Sequence, residues 1–231
     1  MTPLQIAASL DQYAEAEELL QGGADPDEGE WPPLCIAILG ESLSLTILFL
    51  RWGADLDLPA RGIPPLHIAV YNGDLDIVRF LMAHRVRTFG TEMSIAAEHE
   101  HLHILDFFLR QNFSAEQALV VASNGHPKVV KFLLERRVPV SPLCLLSAAR
   151  GGCKKSCRYL LRHAPFQERA LDLARDPETI RYLRRKSRRC AWCTSMGKLK
   201  KCICGTYYCS KECQRQHWPV HRYMRAHLLR K

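Results

Sequence analysis

The sequence predicts a mainly α-helical chain: a solenoid of short helical hairpins, followed by a small cysteine-rich module. Three observations carry that expectation. Small residues recur at Ala7, Ala37, Ala69, Ala96, Val121, Ala148 and Ala174, at steps of 25 to 32 residues. Six of the ten cysteines fall between Cys190 and Cys213. The charge is also divided. Residues 181–231 hold fifteen lysines and arginines against one acid, Glu212, whereas residues 1–180 hold seventeen against twenty-three.

Each repeat reads in the same order. The small residue marks a first helix that must pack closely against its neighbour. Twelve residues past the first six anchors stand Leu19, Phe49, Leu81, Phe108, Leu133 and Leu160, each followed by another large apolar residue. Gly73, Gly125 and Gly152 fall four residues past three of the anchors, where a turn separates two helices. One such hairpin cannot bury its apolar face alone, so the hairpins must stack.

The local motifs then name a family. Thr2-Pro-Leu-Gln-Ile-Ala-Ala, Pro64-Pro-Leu-His-Ile-Ala, Leu19-Leu-Gln-Gly-Gly-Ala-Asp and Asn72-Gly-Asp resemble ankyrin repeats. The resemblance covers residues 1–183, as six repeats and a shortened last one from Ala170 to Leu183. The later repeats lack most of the connecting hairpin, so a blunter binding edge is expected there. The likeness implies a protein-binding scaffold without catalysis.

Particular residues carry expectations of their own. His67 stands where such repeats tie neighbouring loops together, a structural role. His99, His101 and His103 align with Asn72, Asp74 and Asp76, and read as a solvated surface rather than a metal site, because alternate positions on a helix splay apart. Cys157 reads as a small core residue. Trp31 and Trp52 fall where the core needs neither, and could join the acids around them in a recognition patch.

Residues 184–189, Arg-Arg-Lys-Ser-Arg-Arg, read as a basic linker. Beyond it, residues 190–231 carry Cys190-x2-Cys193, Cys202-x-Cys204, Cys209-x3-Cys213, His217, His221 and His227. Thiolate and imidazole are the ligands zinc prefers, and this many exceed the capacity of one ion, so two zinc ions are expected. Disulfides are the rival reading, and they need an oxidising compartment.

Tyr207-Tyr-Cys-Ser-Lys-Glu-Cys-Gln214 and Trp218-Pro-Val-His221, with the ordered cysteine pairs, resemble a MYND finger. That likeness implies interleaved sites: Cys190, Cys193, Cys209 and Cys213 on the first zinc, and Cys202, Cys204 and His221 with one more ligand on the second. Two features depart from the family pattern. One residue, Ile203, separates the second pair where two are usual, and Arg225 stands where the eighth ligand belongs. His227 is the first substitute. The likeness further implies that Gln214 and Trp218 line a groove for a proline-containing peptide.

These readings point to a zinc-binding protein–protein interaction adaptor and not to an enzyme. The alternative is a nucleic-acid-associated regulatory protein using the basic C-terminal region. Nucleic acid is the less favoured partner, because those charges are spread through linker and finger rather than lining one helix. A ubiquitin ligase of the RING type would need a Cys-x-His and a closing cysteine pair, which are missing. The start of the chain resembles no signal peptide, and the longest apolar run, Leu43 to Leu50, is too short to span a bilayer. The expectation is an intracellular protein of cytoplasm or nucleus, without a membrane partner.

Overall fold

In the computed structural model, residues 1–164 and 169–186 are described, with the backbone of residues 200–201 and 207–208. Fourteen helices follow in order among them: α1 Pro3–Ser9, α2 Tyr13–Gln21, α3 Pro33–Leu39, α4 Leu43–Arg51, α5 Pro65–Asn72, α6 Leu75–Ala83, α7 Glu92–Glu98, α8 Leu102–Arg110, α9 Glu116–Ser123, α10 Pro127–Glu135, α11 Pro142–Arg150, α12 Lys154–Leu160, α13 Arg169–Leu173 and α14 Pro177–Lys186. They alternate as first and second helices of seven pairs. The last first-helix, α13, spans five described residues. The final helix runs to Lys186, so residues 184–186 are helical.

Helices this short are marginal in water, and what holds them is capping and lateral packing. Thr2 forms a capping box with Gln5 at the start of α1, where Pro3 occupies a position whose N–H would be unsatisfied anyway. Ser42 accepts from Leu45 N to open α4, and Asp74 accepts from Asp76 N and Ile77 N to open α6.

The chain divides into two compact units, residues 1–122 with 128–139, and residues 123–127 with 140–231. In the first, α1 packs on α3, α3 on α5 and α5 on α7, while α2, α4, α6 and α8 form the second row. Its core is Leu4, Leu34, Ile38, Leu45, Phe49, Leu66, Ile77, Leu81, Met93 and Phe108, with Ala7, Ala37, Ala69 and Ala96 at the closest helix approaches. In the second, α11 packs on α12 and α13, and α14 on α12 and α13, around Leu145, Cys157, Leu160, Ala170 and Leu183.

Two details of the repeat register differ from expectation. Val121 is half-exposed and its neighbour Ala122 is buried, so Ala122 is the fifth anchor. The corrected steps from Ala96 to Ala122 to Ala148 are both 26 residues. The turn position four past the anchor is left-handed at Gly73 and Gly152, and also at Asp11, Glu41 and Glu100. Gly125, which a Val121 anchor would place there, is not left-handed. In the first hairpin Leu20 is buried and Leu19 only half-buried.

Strands β1 Lys200–Lys201 and β2 Tyr207–Tyr208 pair antiparallel, Lys200 with Tyr208 and Lys201 with Tyr207. No described helix is long and apolar enough to cross a membrane.

Candidate functional site

One position on the first helix ties each hairpin to the loop that follows, using a different side chain each time. Gln5 Nε2 donates to Glu28 O and Trp31 O, both at 3.0 Å. Cys35 stands at the same position and its Sγ donates to Leu58 O at 3.6 Å; burial pushes its thiol up to about 12. His67 Nε2 lies 3.1 Å from Thr91 Oγ1 and 3.4 Å from Glu92 Oε1, and the buried Glu92 accepts from Phe89 N at 2.6 Å. The expected structural role of His67 therefore holds. The side-chain Oγ of the next equivalent, Ser94, is buried without a hydrogen-bond partner among the described residues. The tie lapses there, where the connecting loops become short.

The turns are linked as well. Asn72 Nδ2 donates to Ile38 O and Leu39 O at 3.1 Å. His101 Nε2 donates to Tyr71 O at 2.9 Å, and His103 Nε2 to Gly73 O at 2.8 Å. These two histidines thus form rungs between hairpins, while His99 and His103 keep the exposure expected of a surface. In the second unit Thr179 Oγ1 donates to Gly152 O at 2.9 Å. Asp176 accepts from Thr179 N, which holds its carboxyl below the usual range. Cys157 is a core residue, as expected, its thiol raised to about 12 by burial.

What the ties leave open is an apolar channel on the first unit. One groove of about 430 Å³ is lined by Trp31, Leu39, Ile63, Tyr71, Ile95 and Glu98, with His67, Ile68 and His99. A second, of about 580 Å³, shares Trp31 and Leu39 and continues past Ile36 and Gln5 to Glu28, Glu30 and Met1. The large side chains here stay in contact with water: Leu39 is 51% exposed, Ile63 47% and Tyr71 57%. Trp31 belongs to both grooves, while Trp52 lines neither. Reading the sequence missed most of this surface. The signal was present as two columns beside the anchors, Ile36, Ile68 and Ile95 one residue before, and Leu39, Tyr71 and Glu98 two after.

Glu28, Glu30 and Glu98 line the grooves, and further carboxylates lie in the connecting loops. Asp27 accepts from Asp55 N at 3.0 and 3.2 Å, and Asp57 accepts from Arg87 N at 2.7 Å, so these carboxylates also brace successive loops. Burial pushes the Asp27 carboxyl up, against its hydrogen bond to Asp55. Glu30 pairs with Arg61 at 3.3 Å.

The metal and peptide residues expected in the C-terminal segment, Cys190, Cys193, Cys202, Cys204, Cys209, Cys213, His221, His227, Gln214 and Trp218, lie outside the described residues. Cys202 and Cys204 fall in the sequence between β1 and β2, and Cys209 directly follows β2. The donor set is dominated by thiols, which suits zinc.

Comparison with known proteins agrees with both halves. The ankyrin-repeat family pattern, in three copies, matches residues 48–143, and the MYND finger pattern matches residues 190–224. An ankyrin repeat protein of fowlpox virus (strain NVSL) is 29% identical over 82 residues, 36% of this chain and 14% of that protein. Alpha-latrocrustotoxin-Lt1a of Latrodectus tredecimguttatus is 29% identical over 115 residues, 50% of this chain and 7% of the toxin. The chain thus spans a small part of the length of these curated relatives. Among solved structures, the ankyrin repeat domain of human ASB11 superposes with a TM-score of 0.68 at 22% identity, covering 79% of this chain and 96% of that one. The ankyrin repeat domain of Bcl-3, a member of the IkappaB protein family, gives 0.62 at 21%, covering 80% and 98%. At such identities the likeness concerns the fold. The class is therefore that of ankyrin-repeat folds. This chain is an ankyrin-repeat protein with a zinc-binding MYND finger in its C-terminal region.

Proposed function

We propose that the chain is an adaptor, its ankyrin stack binding one protein and its finger a proline-containing peptide of another. The observation that carries this reading is the exposed apolar channel on the stack, in a chain that also carries a MYND finger. A proline-rich strand is already extended and loses little entropy on docking, and the Trp218 indole offers it a flat apolar platform beside Gln214. Two zinc ions hold the finger: Cys190, Cys193, Cys209 and Cys213 on one, and Cys202, Cys204, His221 and His227 on the other. Arg225, which cannot ligate zinc, stands where the eighth ligand belongs, so the second site is the weaker. An intracellular location is part of the same proposal, because cysteines serve as zinc ligands only where they stay reduced.

The peptide reading is tested by Trp218→Ala in the full chain. The variant should keep its zinc and lose the partners that the wild type captures through proline-containing peptides. Undiminished capture would return Trp218 to a packing role. Native mass spectrometry of freshly purified protein should find two zinc ions, and His227→Ala should lower that content where His217→Ala does not. A single ion in the wild type, or equal contents in the two variants, would remove the second site as assigned.

A further inference from the structure

The adaptor reading leaves the chemistry of the stack's partner open, and the channel narrows it. We infer that the two joined grooves of the first unit form one docking channel for a protein segment bearing bulky apolar side chains flanked by lysine or arginine. This rests on the adaptor reading and adds the partner's chemistry to it. The grooves share Trp31 and Leu39, so they are continuous along successive hairpins. Their combined length suits an extended or helical segment better than a compact ligand.

The apolar half of the inference comes from the walls. Leu39, Ile63 and Tyr71 are exposed side by side with Trp31 and Ile95, a contiguous apolar surface rather than scattered single residues. Aromatic side chains recessed among aliphatic ones are where a bulky apolar anchor excludes most water.

The basic half comes from charge. No lysine or arginine is among the residues lining either groove, whereas Glu28 and Glu30 line one and Glu98 the other. Arg61 engages Glu30, and those two side chains are 66% and 79% exposed, so this pair is easily exchanged. Beyond the lining, the first sixty residues hold eleven acidic side chains against one basic side chain, Arg51. An acidic segment would meet like charge along its whole length, while a basic one is steered in and held in register. The histidines in the walls do not reverse this, because His67 is engaged by Thr91 and Glu92 and His99 packs its ring on Tyr71 at 4.4 Å.

The test uses the full chain and a displayed library of random twelve-residue peptides. Selection on the wild type is paired with counter-selection on the Tyr71→Ser/Ile63→Ser double variant, whose replaced side chains are exposed and leave the core intact. The expected winners carry at least two bulky apolar residues and a net positive charge. Synthesised and measured by fluorescence anisotropy, they should bind the double variant about 10-fold or more weakly. They should bind Glu28→Lys/Glu98→Lys several-fold more weakly, and the wild type less tightly as salt rises. Should the double variant lose helical signal, Leu39→Ser repeats the arm from the neighbouring hairpin. Winners that are acidic or uncharged, or no groove-dependent winner at all, would overturn the inference. In that event, cellular partners captured by the full chain and indifferent to Tyr71→Ser/Ile63→Ser would leave the adaptor reading standing on another surface.

Discussion

Arg85 and Arg137 hold left-handed backbone, with φ of 59° and 60°, at the turn after the second helix where Gly23 and Gly53 stand in earlier repeats. A side chain in that region costs about 1–2 kcal/mol that glycine avoids. Replacing either arginine by glycine should therefore raise the thermal midpoint, by up to about 1 kcal/mol of stability once the added freedom of the unfolded chain is counted. Gly73 argues the opposite way. Its φ is 87°, and an added Cβ would stand 2.6 Å from the His101 ring. Gly73→Ala should cost on the order of 2 kcal/mol, read from chemical unfolding, because it strains the turn and displaces the ring that bonds Tyr71 O. Asp106 supplies a pH dependence. Arg136 donates to it at 2.6 and 3.0 Å and Arg110 approaches to 2.8 Å, holding its carboxyl below the ordinary range. A depressed folded value means that this stabilisation is complete above the ordinary carboxylate pKa and is lost as pH falls through the lowered one. Asp106→Asn should lower stability at neutral pH by at most about 1 kcal/mol, given the partial exposure of the pair. Thermal midpoints of wild type and variant should converge in acid.

At the scale of elements, metal and repeats should separate. The described core is built from aliphatic side chains, Met93, Tyr182 and two phenylalanines, and its cysteines Cys35, Cys144 and Cys157 are buried among them. Chelation of the full chain should therefore leave most of the helical circular dichroism in place. Structural zinc contributes about 10–16 kcal/mol to small fingers, so the finger itself should unfold. Cooperative loss of the whole helical signal would mean that the repeats depend on metal. The helix pairs were legible in the sequence because their apolar period and small anchors recur. The register slipped by one at the fifth pair because Leu119-Val120-Val121-Ala122 offers adjacent apolar residues, and Gly125 then imitates the turn glycine of other repeats. Side-chain roles were less legible where polar groups bond to carbonyls of another hairpin. The bonds of His101 and His103 were not legible because their partners, Tyr71 O and Gly73 O, are backbone atoms thirty residues earlier.

For the whole molecule, the cysteine order announced the finger and the repeat motifs the stack, yet the channel stayed hidden. Leu39, Ile63 and Tyr71 look like core residues in a one-dimensional pattern, and only packing reveals that their faces were left uncovered. The adaptor proposal has this chain join two proteins through two surfaces that work separately. Quantitative affinity capture with three full-length versions decides it: wild type, Tyr71→Ser/Ile63→Ser, and Trp218→Ala with its zinc verified. The groove variant should lose one set of partners and keep the other, and Trp218→Ala should do the reverse. Loss of the same partners in both variants, or loss in neither, would contradict the claim.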